Sequence, residues 1–322
     1  MSTAPGTLSR QVAVESAPPP APAGRAWLWL IPAAGLLGLL LWAYWGVIEP
    51  LVDDWRFDEN YSVGQLVPPA ALWLIWRERR RLRRCAVRPS GWGAVLLLAG
   101  QAVRLAGMLD VRESLERYSL VLTIWGLVLL IAGAQVFRRL AWVMLFLLLM
   151  LPLPGAVHNR VSNPLQAQAT AGAVVLLELS GVTVTRQGNV MLLNDNVTVA
   201  VAEACSGLRM LTAFIVVAAV LAYIVDRPRW QKLLLLLSSV PVAIACNLLR
   251  LFLTAQLYIR TDSQTAERFF HDFAGLVMMP IAVGLLMGEL WVFSRLVTPD
   301  NPSPGAATKP AHRLGRPKQP VG

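Results

Sequence analysis

Charge is what this chain has least of. Asp, Glu, Lys and Arg make up 15% of its 322 residues, 56% are hydrophobic, and the mean hydropathy is +0.54. So little polar surface cannot cover a soluble fold of this length, and the sequence reads as a polytopic membrane protein. Cysteine and histidine are scarce as well. Cys85, Cys205 and Cys246 show no paired or metal-ligand spacing, and His158, His271 and His312 are the only imidazoles. That excludes a disulfide framework and leaves no expectation of a structural zinc site or a bound cofactor. The net charge of +10 does not mark a nucleic-acid binder. The basic residues fall in short clusters between apolar runs, which is the pattern of the positive-inside bias.

The apolar runs predict an all-α protein of about eight transmembrane helices, each near the ~20 residues that a bilayer core requires. They lie at Trp27 to Ile48, Ser62 to Trp76, Trp92 to Leu109, Ser119 to Val136, Leu140 to Pro154, Leu208 to Val225, Leu233 to Ala255 and Phe273 to Leu296. The first is too long for a signal-peptide core and lacks a convincing cleavage site, so it is read as an anchor. Residues 1–25, rich in Ala, Pro and Ser, and the basic residues 298–322 are expected as disordered cytoplasmic tails around a membrane domain over 26–297. Arginines crowd the connections at Arg77 to Arg88, at Arg138 and Arg139, and at Arg227, Arg229 and Lys232, which places those three connections in the cytoplasm. The connections around Asp53 to Glu59 and Asp110 to Arg117 are acidic or balanced and face outward.

This alternation holds only if Pro164 to Ser180, an apolar stretch interrupted by Gln166, Gln168 and Glu178, lies along the outer leaflet and does not cross. After it, Gly181 to Thr185 and Val197 to Val201 are β-branched and partly alternating around Gly188-Asn189 and Asn194-Asp195-Asn196. They predict a small extracytoplasmic β-hairpin that leads the chain to Cys205.

With this topology Cys205, Arg250 and His271 all fall at outward ends of spans. A helix N-terminus lowers a thiol pKa, an imidazole can take and return the proton of a thiol, and a guanidinium can stabilise an oxyanion. Cys205 at the start of the Leu208 helix is therefore the candidate nucleophile, with Ser206 or Cys205 itself at the N-cap. His271 is the candidate acid and base, and Arg250 the candidate oxyanion donor. An arginine near hydrocarbon faces the bundle interior or a water-filled cavity. Asn247 shares its helix face and can orient a neighbour.

The segments Ala202-Glu203-Ala204-Cys205-Ser206-Gly207-Leu208-Arg209, Asn247-x-x-Arg250 and His271-x-x-x-Gly275 resemble the three signature regions of the exosortases. Tyr61-Ser62-Val63-Gly64-Gln65-Leu66-Val67-Pro68 resembles the family's Tyr-Ser-His-Gly-Phe-Leu-Val-Pro segment, with Val63 in place of His and Gln65 in place of Phe. Leu151-Pro152-Leu153-Pro154 resembles its proline-bearing span end. The resemblance implies a cysteine transpeptidase or protease of the bacterial inner membrane with its site facing outward. Its substrates would be exported proteins that end in a Pro-Glu-Pro-like motif, a transmembrane helix and a basic tail. Its acceptor would be a lipid- or polysaccharide-linked component of the cell envelope.

Glu203, Ser206, Arg209, Asn247 and Asp272 are expected to bind substrate or support the three central residues. Cys246 reads as a packing residue that could also pair with Cys205. Arg104 and Glu178 read as structural polar contacts, the basic block at Arg77 to Arg84 as a topology determinant touching anionic lipid, and His158 as part of an exposed turn. The alternative is a non-catalytic transporter or scaffold that uses interior Arg and His as contacts, and the absence of repeated halves with interrupted helices weighs against it. A serine protease using Ser206 lacks a Gly-x-Ser-x-Gly elbow.

Overall fold

The computed structural model describes residues 26–110, 112–201, 207–261 and 278–296. Both expected tails lie outside them. The chain divides into two compact units, residues 1–48 and 49–322. Helix α1 (Ala26–Ala43) and the start of α2 (Trp45–Phe57) belong to the first, and all later elements to the second.

A one-turn 3-10 helix, Ser62–Leu66, leads into α3 (Val67–Leu82). Pro68 and Pro69 occupy the first turn of α3, where a missing N–H costs no internal hydrogen bond. Helices α4 (Trp92–Asp110) and α5 (Glu113–Arg139) pack against each other through Gly93, Gly100 and Gly107, all buried. A Cβ at Gly93 would stand 2.2 Å from the Leu130 backbone nitrogen, the close approach that small residues permit between helices in lipid.

The expected span Leu140 to Pro154 is not one helix. It is α6 (Ala141–Phe146) and a 3-10 turn (Leu147–Met150), and it ends in extended chain because Pro152 and Pro154 cannot donate backbone hydrogen bonds and restrict the residues before them. Beyond it α7 (Gly155–Leu179) departs at 78° to the Ala141–Met150 axis.

The predicted hairpin is a three-stranded antiparallel meander, β1 (Val184–Gln187), β2 (Val190–Leu193) and β3 (Val197–Ala200) in the order β1-β2-β3. The apolar Val190–Leu193 segment supplies the extra central strand. Gly188, at φ +62°, makes the tight β1-β2 turn, and Asn194 and Asp195 take positive φ in the β2-β3 loop, as short polar side chains tolerate.

Helices α8 (Leu208–Ile224), α9 (Arg229–Arg260) and α10 (Met278–Leu296) follow. Among the described residues α4, α5 and α9 are long and apolar enough to cross a membrane, or five spans result if each of two bent pairs counts as one. The protein is therefore a largely helical, multi-pass membrane protein, and helix length and composition do not by themselves yield the expected eight crossings.

Two apolar cores share α9. The lower one joins Met210, Phe214 and Ala218 of α8 to Leu235, Ala243 and Cys246 of α9 and Leu286 of α10. The upper one joins Ala169, Ala173 and Leu177 of α7 to Met191 and Leu193 of β2, Val201, and Leu251 and Ala255 of α9. With 32 residues, α9 is about 48 Å long against a hydrocarbon core of about 30 Å, so about twelve of its residues exceed what the core can hold. Arg250 lies between the two cores.

Candidate active site

Asn247 and Arg250 sit one helical turn apart on α9 and are 2% and 4% exposed. Arg250 Nη2 donates to Asn247 Oδ1 at 2.9 Å, and Thr254 Oγ1 donates to the Arg250 carbonyl at 2.8 Å. The Asn247 amide holds one arm of the guanidinium fork.

Asn247 also touches the entrance of α8. Gly207 caps that helix at φ +89°, and a Cβ there would lie 2.8 Å from Asn247 Nδ2. Both the left-handed backbone and the close approach require glycine. The chain that enters α8 therefore rests on the Asn247 side chain, and Cys205 stands two positions before Gly207 in sequence. Cys205, Glu203, Ser206, His271 and Asp272 lie outside the described residues. Cys246 is a buried free thiol in the lower core, as expected of a packing residue.

Arg209, in the first turn of α8, forms an ion pair with Glu59 at 3.3 Å. This ties α8 to the segment that precedes Ser62. The same segment is clamped at Gly64, where a Cβ would meet Trp55 Nε1 at 2.5 Å and the Met150 carbonyl at 2.9 Å. Trp55 Nε1 donates to that carbonyl at 2.8 Å.

His158 departs from the sequence expectation. It is buried near the start of α7, where its N–H donates to the Pro154 carbonyl, and its Nδ1 lies 2.5 Å from the Tyr61 hydroxyl. Pro154 starts the helix early enough that His158 and Ser162, one turn apart, face inward instead of lying in a loop. Burial, followed by the nearby charge of Asp58, pushes the Tyr61 phenol up to about 12, against the pull of the Leu153 backbone. The direction of this bond follows the His158 tautomer: the phenol donates when Nδ1 carries no proton and accepts when it does.

Tyr61 and His158 line an open cavity of about 910 Å³ together with Asp53, Asp58, Glu59 and Glu113. A smaller cavity of about 260 Å³ adjoins it at Asn60, Tyr61 and Leu153 and runs beneath Leu208, Leu211 and Thr212 of α8. The smaller cavity therefore reaches the first turns of α8 at Leu208, next to Gly207, while the larger one lies on the far side of Asn60 and Tyr61.

The family model described as transmembrane exosortase (Exosortase_EpsH) matches residues 55–288. The chain belongs to the transmembrane exosortase family. No curated protein and no solved structure matches it. The matched stretch takes in the Tyr61 segment, α8 and α9, and the sequence positions of Cys205, Arg250 and His271. In this exosortase the structure joins Asn247 to Arg250, as their spacing predicts, and Asn247 to Gly207. Among the described residues it pairs Arg209 with Glu59. Sequence reasoning missed the Tyr61–His158 pair. The Tyr in the family-like segment was the available signal, but its partner stands 97 positions away.

Proposed function

We propose that this exosortase is a cysteine transpeptidase or protease of the bacterial inner membrane with its active site on the extracytoplasmic side. It cleaves the C-terminal sorting signal of exported proteins, a Pro-Glu-Pro-like motif followed by a transmembrane helix and a basic tail. It then passes the protein to a lipid- or polysaccharide-linked acceptor. The observation that carries this reading is the buried Asn247–Arg250 pair packed on Gly207, two residues beyond Cys205 and inside the family match.

In this reading the Cys205 thiolate attacks the scissile carbonyl and forms a C–S bond, and Arg250 donates to the oxyanion that results. Collapse breaks the C–N bond as His271 protonates the leaving amine, leaving a thioester on Cys205. The acceptor then attacks the thioester and gives its proton to His271, and Cys205 leaves as thiolate. Glu203, Ser206 and Asp272 surround these groups in sequence and hold substrate or orient His271.

The test is co-expression with a substrate bearing such a tail, read by intact mass of the product's C-terminus. Cys205→Ala is expected to abolish processing at normal membrane abundance, whereas Cys85→Ala and Cys246→Ala largely keep it. A thioester should be trappable on Cys205. Wild-type processing by Cys205→Ala would falsify covalent catalysis at this residue.

A further inference from the structure

The 260 Å³ cavity belongs to no step of the proposed reaction. Leu208, Leu211, Thr212 and Ile215 form one face of α8 and line its floor, while Met210, Phe214 and Ala218 on the other face fill the lower core. Its opposite wall is Tyr61, Val63 and the Leu148–Leu151 turn. The lining is apolar apart from Asn60, Tyr61 and Thr212, and the volume exceeds the ~150 Å³ that holds a benzene-sized group.

Two observations decide between a lipid tail and a peptide side chain as occupant. The adjoining 910 Å³ cavity carries Asp53, Asp54, Asp58, Glu59 and Glu113 against a single Arg117. A phosphate head group at that mouth is repelled, and an uncharged peptide backbone is not. Asn60 is 8% exposed, and its Oδ1 is a buried acceptor with no partner among the described residues. It stands where the two cavities meet, as the acceptor for a main-chain N–H of an extended peptide.

We propose that the cavity beneath Leu208 and Leu211 is a specificity subsite for one apolar side chain of the peptide being cleaved. The inference rests on the proposed reading of this protein as a peptide-cleaving enzyme. It adds that the sorting signal is read by a Leu-sized apolar residue beside the scissile bond. Tyr61, held by His158, is the wall that separates this subsite from the acidic mouth.

The full chain in proteoliposomes, given substrates that carry Ala, Leu or Trp at each position flanking the cleaved bond, tests the subsite. The wild type should favour Leu at one position. Ile215→Ala should move that preference toward Trp, and Ile215→Trp toward Ala, each by about 10-fold in relative kcat/KM. A photo-crosslinking residue at Leu211 should capture the peptide. Unchanged preference at every position in variants that still cleave, or capture of lipid alone, overturns the subsite and leaves the cleavage reading intact. Failure of the wild type to cleave any of the substrates removes the cleavage reading and the subsite with it.

Discussion

The upper and lower cores are built from the same residue types along one helix, yet they are held by different forces. Below Asn247 the helices α8, α9 and α10 meet through Ala, Leu and Phe while Leu233 and Leu237 on the outside of α9 are 58% and 59% exposed. Lipid is as apolar as that core, so little hydrophobic driving force remains there, and close packing carries the association. Above Arg250 the α7 face, the meander and the end of α9 close around Met191 and Leu193, which are 0% exposed. On the extracytoplasmic topology proposed above, that apolar surface is removed from water, and the hydrophobic term operates in full. The Asn247–Arg250 pair sits where one regime gives way to the other, a position at which a guanidinium can be buried from water and still reach a polar substrate.

The sharpest way to break this contrast is a matched pair of truncations. Leu193 and Leu235 are both 0% exposed, one in each core. Leu193→Ala is expected to cost about 2–5 kcal/mol, as for a core that faces water, and Leu235→Ala distinctly less. Thermal melts in nanodiscs read the difference. Equal losses would mean that both cores lie in the same medium and that α9 does not project as its length implies. Next in size, Arg250→Ala should lower processing on the order of 100-fold or more, the effect of losing one oxyanion donor. Arg250→Lys should remain severely impaired, because a point charge does not reproduce the planar fork held by Asn247. Normal processing by Arg250→Ala would make the residue a snorkelling anchor between the two cores.

The lower core was legible in the sequence because long apolar runs need no partner to be recognised, and α4, α5 and α9 appear where hydropathy places them. The upper core was only half legible. Its strands are four residues each, too short for alternation to separate three strands from two, so Val190–Leu193 went unassigned. At the site, Asn247 and Arg250 were readable from helical spacing alone. Tyr61 with His158, and Glu59 with Arg209, were not, because those contacts join positions 97 and 150 residues apart and no local period encodes them.

Gly207 tests how tightly the seam is closed. Alanine there must hold φ near +89° and bring its Cβ to 2.8 Å from Asn247 Nδ2. A left-handed non-glycine residue costs roughly 1–2 kcal/mol, and the displaced amide would release the Arg250 fork. Gly207→Ala is therefore expected to insert normally and lose about 10-fold in processing, and Gly207→Ala with Asn247→Ala should lose no more than Asn247→Ala alone. Additive losses would show that the two residues act separately, and that α8 does not lean on α9 at the site.

The smallest effect belongs to Tyr61, and it separates the site from both cores because it is set by the burial of an ionisable group, with the charge of Asp58 second. Its phenol is raised to about 12 in the fold from 10.0, so the folded state holds the proton more tightly than the unfolded state. A raised folded pKa gives stability that is fully present below the unfolded value and lost as pH rises through the folded one. The Tyr61 contribution to stability is therefore fully present below about pH 10 and lost between about pH 10 and 12. Tyr61→Phe in detergent should melt slightly below the wild type at pH 8, and the gap should close across that window while Leu193→Ala keeps its full deficit. A gap that stays constant up to pH 12 would mean that the phenol contributes only its ring to the wall between the two cavities, and that His158 is oriented by other contacts.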